Sequence, residues 1–229
     1  MKVVFWLNSI SPHLIPIVSM LEKSYSDLDL TIISEVNIRN DRKEMGWLPI
    51  EGQKFIIAPS IHDIDVHLAK TKENGINIFS GFSTCNLVKT SLRSAIKMEL
   101  KIAIIAEASD VTGIKGHIKN LVKSLYYKKY IHNINALFCI GTSGYRWYLG
   151  SGFFPTQMAM LCYSVINNAV PKPFESDKKH FQIVYAGQLI YRKGVDVLIK
   201  AIANIVKYST THVPFQLAIF GMAQVSYPY

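Results

Sequence analysis

Cysteine is scarce in this chain. Cys85, Cys139 and Cys162 are three in number, far apart and without a C-x-x-C pair, so neither a disulfide framework nor a zinc knuckle is indicated and a reducing compartment is expected. Long apolar runs are also missing. Val3 to Leu7 ends at Asn8, too short for a signal-peptide core, and no stretch approaches the roughly 18 apolar residues of a membrane span. A cytoplasmic protein is expected. There is no G-x-G-x-x-G after the first strand, where the chain has Asn8-Ser9-Ile10-Ser11-Pro12, which argues against a dinucleotide oxidoreductase. Acidic residues are the minority, 16 against 25 basic ones for a formal charge of +9, a balance that favours anionic partners such as nucleotides, nucleic acid or acidic lipid. Nucleic acid is set aside because no aromatic-plus-basic motif accompanies the charge. Internal repeats and low-complexity segments are absent.

What is present is a regular alternation. Near-continuous apolar runs at Met1 to Asn8, Leu28 to Ser34, Lys54 to Ala58, Ile76 to Phe79, Lys101 to Ala106 and Ala136 to Ile140 read as strands covered on both faces. Helical spacing falls between several of them, at Ile15 to Lys23, Leu87 to Leu100, Ile118 to Ile131 and Gly144 to Leu149. The pattern predicts an α/β protein with a Rossmann-like, doubly wound parallel sheet. Residues 167–180 (NNAVPKPFESDKKH) concentrate Asn, Pro, Ser and charge, the composition of an exposed connection. The expected domains are therefore 1–166 and 181–229, joined by 167–180.

The stretch Phe181 to Lys207 says most about function. Phe181, Ile183, Val184 and Tyr185 form a short strand closed by Gly187, and Val195, Leu198, Ile199, Ile202, Ile205 and Val206 recur at helical spacing. Between them lie Gln188, Tyr191, Arg192, Lys193 and Gly194. Two cations and free backbone N–H groups are thus expected where a helix N-terminus attracts phosphate. Phe215 to Phe220, followed by Gly221, supplies a second strand, predicted parallel to the first.

This second unit resembles the family-4 glycosyltransferases, retaining enzymes of the GT-B architecture with two facing Rossmann-like domains. Gly187-Gln188-Leu189, then Lys193-Gly194 and a helix with Leu198 and Ala201, is similar to the family's G-R-L … K-G … L-I-x-A signature. The resemblance implies that Lys193 binds the diphosphate of a nucleotide-sugar donor, with Arg192, Gln188 and Gly187 in support. A compact cation beside a helix N-terminus would offset the charge developing on the departing nucleotide. Gln188 stands where the family has Arg, and brings a hydrogen bond without a charge.

In the first half, Ser9 to His13 occupies the loop that in the family faces the donor and acceptor cleft, so Ser11, Pro12 and His13 are expected on the acceptor side. Gly141-Thr142-Ser143 resembles the family's strand-to-helix turn, and Phe153 to Asn167 the short strand leading out of the first domain. Glu107 stands where many members have a His near the reacting centre, and together with His13 is the candidate catalytic pair. The acceptor implied is a saccharide or lipid-linked saccharide, in surface polysaccharide assembly, with no metal or other cofactor because protein cations serve instead. The family's carboxylate pair and closing helix cannot fit in Met222 to Tyr229. The chain is therefore expected to hold the acceptor-side domain and the first βαβ of the donor domain, a truncated enzyme incomplete by itself. The alternative is a non-catalytic fragment that binds acceptor, membrane or a partner subunit.

Three other patterns stand out in the chain. Lys115, Lys119 and Lys123 recur at i, i+4 beside Ile118, Leu121, Val122 and Leu125, which suits either contact with an acidic membrane surface or, as the favoured reading, a core-facing helix with a solvated basic side. His62-Asp63-Ile64-Asp65-Val66-His67 contains D-x-D, a metal-binding pattern, but is read as a loop feeding a helix and not as a metal site. Trp147 and Tyr148 are expected to pack in the core.

Overall fold

The computed structural model describes residues 1–44, 46–50, 55–109, 113–165, 181–208 and 215–221, apart from the side chains of Lys115 and Arg192. The expected connection 167–180 and the start of the strand expected at Lys54 lie outside the described residues. By its internal contacts the chain divides into two compact units, Met1–Asn167 and Asn168–Tyr229.

The first unit alternates strands and helices: β1 (Lys2–Ser9), α1 (Ile15–Ser24), β2 (Asp29–Val36), α2 (Asn40–Glu44), β3 (Phe55–Ile57), α3 (Ile61–Ala69), β4 (Gly75–Ser80), α4 (Asn86–Lys97), β5 (Ile102–Ala106), α5 (Gly113–Lys128), β6 (Ala136–Ile140), α6 (Gly141–Gly150) and β7 (Met158–Leu161). The seven strands form one sheet in the order β3-β2-β1-β4-β5-β6-β7, and every pairing is parallel. This is the Rossmann-like, doubly wound arrangement, with its reversal of winding between β1 and β4.

Strand periodicity divides the core between the two faces of the sheet. Val4 and Trp6 of β1 point into one layer with Ile33, Phe79, Leu68, Val88 and Leu92. Val3, Phe5 and Leu7 point into the other, with Leu30, Ile32, Leu14 and Val18. Burial on both faces explains why β1 reads as an unbroken apolar run. Helix α4 buries Leu87, Val88, Ser91, Leu92 and Ala95 along one stripe. It ends at Lys97, short of the expected Leu100, because Glu99 turns left-handed at φ 53° and the Leu100 N–H closes back on the Ala95 carbonyl at 3.0 Å.

A buried polar chain runs through the core. The Trp6 indole N–H donates to Asn77 Oδ1 at 3.0 Å, Asn77 Nδ2 donates to Thr71 Oγ1 at 2.7 Å, and that hydroxyl donates to the Leu68 carbonyl at 2.7 Å. Trp6, Asn77 and Thr71 are all buried, so the chain ties β1, β4 and the end of α3 together and gives each of these polar side chains a partner.

The second unit holds β8 (Phe181–Ala186), α7 (Val195–Tyr208) and β9 (Phe215–Phe220). β8 and β9 pair in parallel, Phe181 opposite Phe215 through Ala186 opposite Phe220, the βαβ unit expected from the sequence. At the strand ends the backbones close tightly: the Gly187 N–H donates to the Phe220 carbonyl at 2.9 Å, and a Cβ on Gly221 would lie 1.8 Å from the Gly187 oxygen. Phe181, Val184, Val206 and Phe220 remain exposed.

Asn77→Leu removes the acceptor of the Trp6 indole and the donor to Thr71 while keeping side-chain volume. Unfolding free energy is expected to fall by about 2 to 3 kcal/mol, the cost of buried polar groups left without partners. Urea midpoints measure it, and a loss under about 1 kcal/mol would mean that the network is dispensable.

Candidate functional site

Ligands of open α/β sheets sit beyond the carboxyl ends of the strands, at the reversal of winding. A cleft of about 770 Å³ lies there, lined by residues that follow β1, β2, β4, β5 and β7, all within the first unit. Asn8, Ser9, Ser11 and His13 come from the end of β1 and its loop, Ser80 and Thr84 from the end of β4, and Glu107 and Ser109 from the segment after β5. Arg39, Arg42 and Trp47 form another wall; Arg39 is paired with Asp41 at 2.9 Å, and the Arg42 guanidinium sits 4.9 Å above the Trp47 ring.

Three candidate residues named from the sequence, Ser11, His13 and Glu107, therefore share one cleft, whereas Pro12 does not line it. The local chain explains the loop. The Ser11 hydroxyl accepts the His13 backbone N–H at 3.3 Å, the Ser11 carbonyl accepts the Leu14 N–H at 2.9 Å, and α1 then starts with a proline in its first turn, where the missing N–H costs nothing. The His13 imidazole lies with Nδ1 3.3 Å from the Ser164 carbonyl oxygen. A carbonyl only accepts, so the neutral ring carries its proton on Nδ1 and leaves Nε2 as an acceptor.

Glu107 is held at two points by tyrosines. Tyr148 donates its hydroxyl to the Glu107 backbone carbonyl at 3.2 Å. Tyr163, which follows β7, donates its hydroxyl to Glu107 Oε1 and stacks on the His13 ring with centroids 4.9 Å apart. Burial pushes the Tyr163 phenol far above its ordinary range, and the carboxylate it donates to pushes it further. Tyr148 is shifted upward still more strongly, chiefly by burial, so both remain protonated donors around neutrality. Trp147 and Tyr148 do pack, as expected, into a cluster with Tyr127, Phe82 and Phe153, but the Tyr148 hydroxyl also reaches the site. Tyr163 carried no sequence signal: its contact with Glu107 spans 56 positions.

Helix α5 departs from the favoured reading. Its aromatic and polar side packs inward, through Tyr127 stacked on Phe82 at 4.2 Å and Asn120 accepting the Trp147 indole N–H. The aliphatic side faces out: Ile118, Leu121, Val122 and Leu125 are 57 to 62% exposed. Lys119 is exposed beside them. Lys123 instead is half-buried, lines the cleft and donates to the Ser109 hydroxyl at 3.2 Å. Lys115 has its side chain outside the described residues.

The D-x-D segment lies on α3 itself, not on a loop before it. Asp63 completes a capping box with Ser60, accepting its N–H at 2.9 Å and its hydroxyl at 2.8 Å. Those bonds hold its carboxyl below the usual aspartate range, which engages the group in helix capping. Among the described residues no three His, Cys, Asp or Glu side chains gather as a metal site. Cys85 and Cys139 are pushed up to about 11 by burial and remain thiols near neutrality.

In the second unit, the Lys193 side chain is exposed on a 3-10 turn, Tyr191–Lys193, and Gly194 leaves it in the left-handed region at φ 68°. The turn has fewer free donors than expected. The Lys193 N–H donates to the Ile190 carbonyl at 2.9 Å and the Gly194 N–H to the Tyr191 carbonyl at 3.0 Å, which leaves the first turn of α7 as the source of N–H groups. Asp196 stands in that first turn, 3.9 Å from Lys200. The Gln188 backbone carbonyl accepts the Tyr185 hydroxyl at 2.9 Å, and Gly187 closes β8. Arg192 has its side chain outside the described residues.

No family model and no curated protein sequence matches the chain. Among solved structures it is similar to the apo form of a lipopolysaccharide outer core galactosyltransferase, WaaB, at a TM-score of 0.52 and 17% identity, over 97% of this chain and 61% of that one. The chain thus spans about three-fifths of the length of the structure it matches. At this identity the likeness is one of fold: the two chains share a Rossmann-like α/β architecture.

Proposed function

We propose that this chain belongs to a retaining, family-4 type glycosyltransferase that moves a sugar from a nucleotide-sugar donor to a saccharide or lipid-linked saccharide in surface polysaccharide assembly. The observation that carries the reading is the cleft at the carboxyl ends of β1, β4 and β5, lined by Glu107 and His13, in a fold shared with a protein described as a lipopolysaccharide outer core galactosyltransferase.

The chemistry assigns the parts. Glu107 and His13, which line the cleft, are assigned to hydroxyls of the acceptor saccharide, which they hold and orient for attack. The departing nucleoside diphosphate gains negative charge as its bond to the sugar breaks, and fixed cations lower that cost. Lys193 is assigned to the diphosphate, with Gly187, Gln188 and Arg192 in support and no metal required. These roles rest on the G-Q-L … K-G pattern.

The exposed aliphatic side of α5, flanked by Lys119, is assigned to the inner face of an anionic membrane, where apolar burial and charge attraction add. No helix of the described residues is long and apolar enough to cross a membrane. A contact at the membrane surface suits a lipid-linked acceptor.

Calorimetry with uridine and guanosine diphosphate tests the donor assignment: one of the two binds, and Lys193→Ala weakens it about tenfold, the loss of one charge-assisted contact. Absence of binding to either removes donor recognition from the second unit. Separately, the chain is expected to co-sediment with phosphatidylglycerol vesicles and not with phosphatidylcholine ones, and the triple variant Lys119→Glu, Leu121→Asp, Val122→Asp is expected to stay in solution. Unchanged sedimentation of that variant contradicts the membrane face.

A further inference from the structure

We propose that Tyr163 is a positioning residue of the cleft, one that fixes Glu107 and His13 together so that the free carboxylate oxygen and the free imidazole nitrogen meet hydroxyls of a bound saccharide. The inference rests on the reading of the cleft as a saccharide site, but it concerns a residue that the fold likeness does not assign.

Three separate parts of the chain converge here. His13 follows β1, Glu107 follows β5 and Tyr163 follows β7, and all three line the cleft. The Glu107 backbone is already held by the Tyr148 hydroxyl, yet its side chain is exposed and, unsupported, would rotate among several rotamers. Fixing such a side chain costs conformational entropy, which a ligand would otherwise have to offset on binding. The Tyr163 hydroxyl removes that freedom by engaging Oε1. Among the described residues Oε2 has no hydrogen-bond partner, so one oxygen is held in place and the other is presented.

The Tyr163 ring has a second effect. It lies nearly parallel to His13, with 29° between the planes, while the Ser164 carbonyl of the next residue meets His13 Nδ1. Two consecutive residues therefore set the plane of the imidazole and engage its Nδ1, which leaves Nε2 for a ligand. A rigid phenol serves this purpose better than a flexible donor such as lysine, because only two side-chain torsions need be fixed. The arrangement is that of a hydroxyl-binding pair, one anionic acceptor and one neutral acceptor, held at a fixed separation by a single aromatic side chain.

The test uses the whole chain, with methyl glucoside and methyl galactoside as probes in saturation-transfer NMR and the His13 ring-proton shifts as a readout that needs no ligand. Tyr163→Phe keeps the stack and loses the hydroxyl, so the His13 shifts stay in place while probe binding weakens about fivefold, the effect of one hydrogen bond. Tyr163→Leu removes both, and the His13 ring protons move downfield as the stacked ring is lost. In a Glu107→Ala background, Tyr163→Phe is expected to cause no further loss, because the two side chains act as one unit. Equal binding by wild type and Tyr163→Phe, additive losses in the double variant, or His13 shifts unmoved in Tyr163→Leu would each overturn the positioning role. If wild type binds neither probe, the saccharide reading of the cleft falls and the role falls with it. A cooperative melt for each variant, with midpoints close to wild type, separates these outcomes from misfolding.

Discussion

The placement of β1 governs the rest of this structure. It is the one strand that pairs in parallel with both β2 and β4, so the chain winds outward in one direction through β3 and in the other through β7. The loops on either side of it diverge at their carboxyl ends and leave a gap that neither helix layer fills. Parallel pairing requires cover on both faces, and β1 supplies apolar side chains to both, down to a tryptophan whose one polar atom is met by Asn77. The rigidity of that centre lets loops as far apart in sequence as 9–14, 107–109 and 161–164 hold a common geometry.

The cleft gathers acceptors of hydrogen bonds more than it gathers charge. Glu107 is its carboxylate, His13 adds an imidazole, and serine and threonine hydroxyls fill the rim. Of the cations at its wall, Arg39 is paired with Asp41, Arg42 lies over the Trp47 ring and Lys123 is engaged with Ser109. Such a lining suits a neutral, hydroxyl-rich ligand, while the candidate anion-binding turn around Lys193 belongs to the other unit.

Much of the architecture was legible in the sequence because buried parallel strands are written as unbroken apolar runs, and β1, β4, β5, β6 and the β8-α7-β9 unit were placed within a residue or two. Boundaries failed where a single residue decides them, as at Glu99, whose left-handed backbone stops α4. The orientation of α5 differs from the sequence expectation for a physical reason. Helical periodicity reports that a helix has an apolar side but not what covers it, and here Tyr127 and Asn120 won the core-facing positions over leucine and valine. Glu107, His13 and Ser11, expected from the family resemblance and, for Glu107, from its place at a strand end, line one cleft. Tyr163 and Tyr148 were not expected there, since a hydroxyl reaching a residue 41 or 56 positions away follows from the sheet order and leaves no local trace.

The most direct measurement is a crystal structure of the chain grown with methyl galactoside. The account predicts sugar density at the carboxyl ends of β1 and β5, with a ring hydroxyl within hydrogen-bond distance of the Glu107 oxygen that Tyr163 does not engage. A sugar bound elsewhere, or a cleft that holds none at saturating concentration, would contradict it.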